Sequence, residues 1–223
     1  MDESLVIAVS NISDGSMSVG VSDERRLANR RRFLANYQID PVQTILVRLE
    51  YDDTDYKRYF TVSSGQAGDG IITPSTITVD ALFTRERNVA LLLPVADCVG
   101  AVLYSKDAGV MGLAHLGRHN LVQSGGSAVV RYMVQDFDVD LSEVAVYLSP
   151  AAGRERYPLY DFDNRSMHEV ATQQLLAAGI VGDNITVDTR DTTKDTSLFS
   201  HSEYLKGNRK SDGRQAVVSM MRP

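Results

Sequence analysis

The sequence predicts a mixed α/β fold of the α+β kind: one domain over residues 1–223, with a central mixed β-sheet flanked by helices. Three observations predict it. The most apolar stretches, 89–95, 100–104 and 109–114, are short, continuous and separated by turn residues, the pattern of strands buried in the middle of a sheet. Helical and extended segments are interspersed without a repeating strand–helix–strand period, so neither a barrel nor a doubly wound nucleotide fold is expected. The chain of 223 residues, 43% hydrophobic and 23% charged, is long enough to bury a substantial core, and nothing in its composition divides it in two.

Taken in order, Leu5 to Ser10 is a β-branched run that reads as a strand, and Asn11 to Ser16 is a loop of turn formers. A helix begins at Ser22, which can cap it, and Leu27, Phe33 and Leu34 supply its apolar face. Its arginines, Arg25, Arg26, Arg30, Arg31 and Arg32, follow the acidic Asp23 and Glu24 and read as a solvated face. After Pro41, the alternation of Ile45, Val47 and Leu49 predicts a half-buried strand over Gln43 to Tyr51, with a second strand at Tyr59 to Val62. The loop from Ser63 to Gly70 has three glycines but neither the order of a phosphate loop nor its lysine, and reads as a plain loop. Beyond the three apolar runs, helices are predicted over Asn120 to Val134 and Arg165 to Ala178, the second ended by Gly179. Strands are expected over Glu143 to Leu148, Asn184 to Asp188 and Gln215 to Met221.

The formal net charge of −6 disfavours a nucleic-acid partner bound through electrostatics. No membrane span is expected either, because the longest apolar stretch, Val89 to Val95, is far shorter than the roughly 20 residues a bilayer requires. The start MDESLVIAVS lacks a basic region followed by a long apolar core. A single cysteine, Cys98, rules out an intrachain disulfide and fits a reducing compartment, so a cytoplasmic location is expected.

Ala96-Asp97-Cys98 follows one apolar run, and Ala114-His115-Leu116-Gly117 follows another, so both polar pairs fall at strand ends, where functional groups are commonly displayed. A thiolate and an imidazole brought together there can form a zinc site or a Cys–His nucleophile pair. Against this stands the ordinary fate of a lone cysteine, a small buried hydrophobe. His168, in a polar helical stretch, reads as a surface residue.

A longer pattern surrounds these residues. Val79-Asp80-Ala81-Leu82-Phe83-Thr84, Val89-Ala90-Leu91, Ala96-Asp97-Cys98 and Ala114-His115-Leu116-Gly117 resemble, in order and spacing, the ADALVT, VAL, ADC and HAGWRG signatures of the YfiH-like, laccase-domain or purine-nucleoside-phosphorylase-like family. Asn29 to Phe33 is similar to its NRRR helix, and Ser149 to Gly153 with Tyr157 to its GPAIG turn. Leu198 to His201 with Gly213-Arg214 resembles its FFSHRR and TGR ending. The resemblance runs from about Asp14 to the end of the chain. It implies a cytoplasmic zinc enzyme, a transferase or hydrolase, acting on purine nucleosides: phosphorolysis of adenosine or inosine, with adenosine deamination also attributed to the family. On this footing Cys98, His115 and Asp97 are the expected catalytic residues. Arg118, Asp80 and His201 are the expected binding residues for a purine nucleoside and phosphate.

The family's metal ligands are the Cys of ADC, the His of HAGWRG and a His in a QVHG motif. Cys98 and His115 carry over, whereas Thr61-Val62-Ser63-Ser64-Gly65 aligns with the third motif and places Ser64, or Ser63, where that His should be. Serine is a poor zinc ligand, which leaves His119 as the expected third ligand, with Asp69 as another candidate. The HAGWRG loop has become His115-Leu116-Gly117-Arg118-His119-Asn120, and the TRxGGVS motif has become Ile12 to Ser18, so two of the family's arginines are missing from their motifs. Arg118 restores a cation one position early. Copper is not expected, because four histidines and one cysteine cannot furnish a multicopper cluster.

Three functions compete: a zinc-assisted nucleoside phosphorylase weakened by the lost ligand, a non-catalytic nucleoside-binding or structural protein, and a metal-free enzyme with Cys98 as nucleophile and His115 as base.

Overall fold

The central apolar runs do become strands, but they are shared between two mixed sheets rather than gathered in one. The structure, a computed structural model, describes residues 4–18, 23–51 and 54–223. One sheet has the order β1 (Leu5–Val9), β10 (Gln215–Met221), β5 (Ala90–Val95), β2 (Thr44–Leu46). The other runs β3 (Tyr59–Thr61), β4 (Ala81–Thr84), β7 (Val110–Leu116), β6 (Val99–Ser105), β8 (Val144–Leu148), β9 (Ile185–Val187). The β2–β5, β3–β4 and β8–β9 pairs are parallel and the rest antiparallel.

The runs are continuously apolar because both faces of each sheet are covered. Along β5, Leu91, Leu93 and Val95 point into a core between the sheets, where they meet Val102, Met111 and Leu113 of the other sheet. The alternate residues, Ala90 and Leu92, pack outward with Phe33 and Leu34 of α1 (Glu24–Ala35). On the far side, Ala101, Leu103 and Val146 pack against Val129, Val130 and Met133 of α3 (Gly125–Phe137) and Val170 and Leu175 of α4 (Met167–Ala177). The layers are therefore helix, sheet, sheet, helix, and each fully buried Leu or Val in them contributes roughly 1.5–3 kcal/mol. No described helix is long and apolar enough to cross a membrane.

Several local expectations are corrected. Ser22 lies outside the described residues. The cap of α1 is Asp23, whose carboxylate accepts from the amides of Arg25 and Arg26. Arg30, expected on a solvated face, is fully buried and donates to the carbonyls of Gly70, Met17 and Ser18. Burial pushes its guanidinium down to about 10, with Arg26 adding to the effect. The strand expected to reach Tyr51 pairs only over Thr44–Leu46, and after the Val47 amide bonds to Leu92 the chain leaves the ladder. The loop after β3 contains a short 3-10 turn, Ser64–Gln66, capped by Ser63.

The helix expected over Asn120 to Val134 is broken into α2 (Arg118–Val122) and α3. Ser124 between them is left-handed, at φ 59°. A Cβ on Gly125 would come within 2.7 Å of the Asn120 carbonyl oxygen, so the chain crosses itself there only because glycine lacks one. A further short helix, α5 (His201–Leu205), has no counterpart in the sequence reading.

Candidate active site

The turn between β5 and β6 and the end of β7 meet at one end of the two-sheet core, because β6 pairs with β7 in a register that sets Val99 opposite Leu116 and Gly100 opposite His115. Cys98, just before Val99, is thereby brought beside His115. The Cys98 Sγ and the His115 Nε2 each lie 3.0 Å from where a Cβ on Gly117 would stand, so the two atoms are at most twice that distance apart. Any side chain at position 117 would occupy the space between them. His115 is 5% exposed, and its Nε2 is buried without a hydrogen-bond partner.

Burial pushes the His115 imidazole down to about 4, against the opposing effects of Asp80 and Asn120. Burial, with Asp97 beside it, pushes the Cys98 thiol up to about 12. At neutral pH the pair is a neutral imidazole and a protonated thiol.

Asp97 has φ 76°, unusual for a residue with a Cβ, and that bend turns the chain from β5 into Cys98. Its buried carboxylate is fully engaged: Oδ1 accepts from the Thr192 hydroxyl at 2.7 Å and Oδ2 from the Ser202 amide at 2.7 Å. Its carbonyl accepts from the Ala152 amide at 2.8 Å. Asp97 thus ties three distant segments around Cys98. Asp80 is equally engaged, 1% exposed, accepting from the amide and Nε of Arg58 and from Asn120 Nδ2, while its carbonyl accepts from the His115 amide. It braces His115 from behind and does not line the cavity.

The cavity itself is about 340 Å³, lined by Tyr51, Val95, Ala96, Asp97, Cys98, His115, Tyr157, His201, Ser202, Leu205 and Arg214. A smaller one of about 160 Å³ adjoins it, sharing Tyr51, Cys98, His115 and Tyr157 and adding Arg118 and His119. The His119 ring stacks on Tyr56, with centroids 4.9 Å apart. His201 lines the main cavity, its Nδ1 3.1 Å from Asp212 Oδ1. Arg214 Nη1 donates to the same carboxylate oxygen at 2.8 Å and to the Gly213 carbonyl at 2.7 Å, and its other guanidinium nitrogens have no protein partner among the described residues.

Ser64 and Ser63 are not at this site. β3 runs parallel to β4, with Thr61 opposite Phe83, so the residues after Thr61 continue away from the His115 end, and the Ser64 amide donates to Glu86. Tyr51 and Tyr157 line both cavities with the pair, and the Tyr51 ring stands edge-on to His115 with centroids 6.2 Å apart. Asp69 is also elsewhere, its two carboxylate oxygens taken by the Thr76 amide and hydroxyl. His168, expected at the surface, is half-buried, and its Nε2 is 2.7 Å from the Ser149 carbonyl oxygen.

Among the described residues, no three His, Cys, Asp or Glu side chains gather as a metal-ligating group. Cys98 and His115 fit two positions of a zinc shell, but with no third such donor gathered beside them among the described residues they do not make the usual three-residue set. His115, His119 and His201 line the two adjoining cavities and His168 bonds to the Ser149 carbonyl, so the donors, four imidazoles and one thiol in all, are too few for a multicopper cluster.

Residues 9–162 match the family described as multi-copper polyphenol oxidoreductase laccase. The purine nucleoside phosphorylase YlmD of Geobacillus stearothermophilus is 30% identical over 214 residues, covering 82% of this chain and 76% of that protein. A purine nucleoside phosphorylase of Staphylococcus saprophyticus is 28% identical, covering 70% and 67%. The crystal structure of YlmD from Geobacillus stearothermophilus shares the fold with a TM-score of 0.86 at 22% identity, covering 99% of this chain and 93% of that one.

Proposed function

This chain belongs to the multi-copper polyphenol oxidoreductase laccase family, and we propose that it acts as its purine nucleoside phosphorylase relatives are named, binding a purine nucleoside at the Cys98–His115 cavity and cleaving it with phosphate. The observation that carries the reading is a cavity of small-molecule size lined by an arginine and by the Cys98–His115 pair. Tyr51 and Tyr157 offer aromatic faces to a base, and the free nitrogens of Arg214 suit a phosphate, which a guanidinium binds in bidentate fashion. Arg118 supplies a second cation at the adjoining cavity. In the reaction a phosphate oxygen attacks the anomeric carbon, the bond to the base nitrogen breaks, and the base leaves with a proton.

Cys98 and His115 are assigned to the wall where the sugar reacts, and Asp97 and Asp80 to holding them in place. Zinc is the metal this pair suits. Held by two protein donors, a zinc ion would be bound weakly and would supply little Lewis acidity, so slow phosphorolysis and still slower adenosine deamination are expected. His119 is assigned to the rim and not to the metal. A thiol held protonated is a poor nucleophile, which counts against Cys98 attacking without a metal. The lone cysteine and the nucleoside and phosphate substrates suit the cytoplasm.

The test is phosphate-dependent release of hypoxanthine from inosine, expected below about 1 per second and lost in both Cys98→Ala and His115→Ala. Nucleoside binding by calorimetry should survive both substitutions. The lack of a third metal donor beside Cys98 and His115 among the described residues favours one other reading, a nucleoside-binding protein without turnover; binding with no hypoxanthine release would select it. Absence of nucleoside binding would sink both.

A further inference from the structure

We infer that His201, held by Asp212, is the acid that protonates the departing purine, an assignment that rests on the phosphorolysis proposed above. The leaving base needs a proton on its five-membered ring when the glycosidic bond breaks, and a histidine with one free ring nitrogen facing the cavity can give it. His201 lines the same cavity as the Cys98–His115 pair. Its Nδ1 faces Asp212 Oδ1 at 3.1 Å, and its Nε2 has no protein partner among the described residues. A carboxylate on one imidazole nitrogen fixes the ring and its tautomer, leaving the other nitrogen to exchange a proton with a ligand.

The carboxylate is itself anchored. Burial works to raise Asp212, but hydrogen bonds from His201, Arg214 and the Gly213 amide prevail and hold it below the usual carboxylate range. His201 is also tied to the Cys98 turn, because the next residue, Ser202, donates its amide to Asp97, the residue that turns the chain into Cys98.

In the step assigned, a lone pair of a phosphate oxygen forms the new bond to the anomeric carbon. The electron pair of the carbon–nitrogen bond passes to the purine, and the proton on His201 Nε2 moves to purine N7. The imidazole is left neutral and takes a proton back from solvent. His201 is a catalytic residue in this step and Asp212 a positioning residue.

The test compares inosine with 7-methylinosine, whose base already carries a positive charge and leaves without a proton. His201→Gln should lower kcat on inosine by about a hundredfold or more while KM stays within about threefold, and should change kcat on 7-methylinosine by less than about threefold. Asp212→Asn should show the same selectivity with a smaller loss. His201→Phe, which keeps the ring, is the second variant should His201→Gln fail to fold by thermal denaturation. An equal loss on both substrates, or no loss on inosine, overturns the assignment and leaves the phosphorolysis standing. If the unsubstituted protein turns over neither substrate, the phosphorolysis itself fails and the acid with it.

Discussion

Cys98 and His115 meet across the space that Gly117 leaves open, and the neighbouring side chain whose ring meets His115 is a phenol, Tyr51. A phenol is a poorer zinc ligand than an imidazole at neutral pH. The purified protein is therefore expected to carry less than one equivalent of zinc by metal analysis. Tyr51→His should raise that content and Ser64→His should leave it unchanged; a full equivalent in the unsubstituted protein would refute the weak-site reading. Tyr51 was not legible as a site residue, because it lies beyond the paired residues of β2, where only the tertiary fold brings the chain to His115, and Ser64 was excluded by the register of β3 on β4, which long-range pairing sets. His168 was misread for a related reason: a polar helical stretch does not show that one turn faces the Ser149 carbonyl. Burial lowers its pKa from the ordinary 6.5, with the Ser149 bond opposing. The unfolded chain then binds the proton more readily, so stability is complete above the unfolded value and is lost as pH falls from about 6.5 toward the lower folded value. Urea midpoints between pH 7 and 5 should fall less steeply in His168→Gln than in the parent, and an unchanged slope would remove His168 from the acid response.

The element that most directly shapes the site is α2, a helix of five residues carrying Arg118, His119 and Asn120. Asn120 holds it down, donating to Asp80 and to the Tyr56 carbonyl while its Oδ1 accepts from the Gly117 amide. That short helix exists because the chain reverses at Ser124 and passes Asn120 at Gly125. Gly125→Ala is expected to force the two apart, costing about 1–3 kcal/mol. For a chain of this size each kcal/mol lowers Tm by roughly 2–4 °C, and scanning calorimetry measures it. No change in Tm would mean that the crossing is not tight. The periodicity of the region could not reveal the break, since Leu121, Val129, Val130 and Met133 remain buried on both sides of it. The strands β5, β6, β7 and β10 were legible as apolar or alternating runs, yet nothing local assigned β5 to a different sheet from β6 and β7. The helix α5, which delivers His201, is too short to have a period and was missed, although the Ser200 hydroxyl accepts from the Glu203 amide as a cap does.

The two sheets could in principle be two folding units, and the path of the chain argues that they are not. Neither sheet is continuous in sequence: β2 of one precedes β3 and β4 of the other, β5 returns to the first, β6 to β9 build the second, and β10 closes the first between β1 and β5. Either sheet is therefore completed only when the other is in place. The core between them is also common property, with Leu91, Leu93 and Val217 from one sheet packed on Leu82, Val102, Met111 and Leu113 from the other. Separating the sheets would expose both apolar faces at about 25 cal/mol for each Å² uncovered, so an intermediate with one sheet intact is strongly disfavoured. We therefore propose that residues 1–223 fold as one domain and unfold in one cooperative transition. Urea titration followed by far-ultraviolet circular dichroism for the backbone and by tyrosine near-ultraviolet signals for packing should give coincident midpoints. The ten tyrosines make the second probe practical, because Tyr104 lies in the shared core and Tyr51 and Tyr157 line the cavity at its end. Saturation with inosine should move both transitions together to higher urea, since a ligand that binds only the folded state stabilises everything that unfolds with its site. Two separated transitions, with inosine shifting one alone, would show that the sheets are independent units and that the cavity belongs to only one of them.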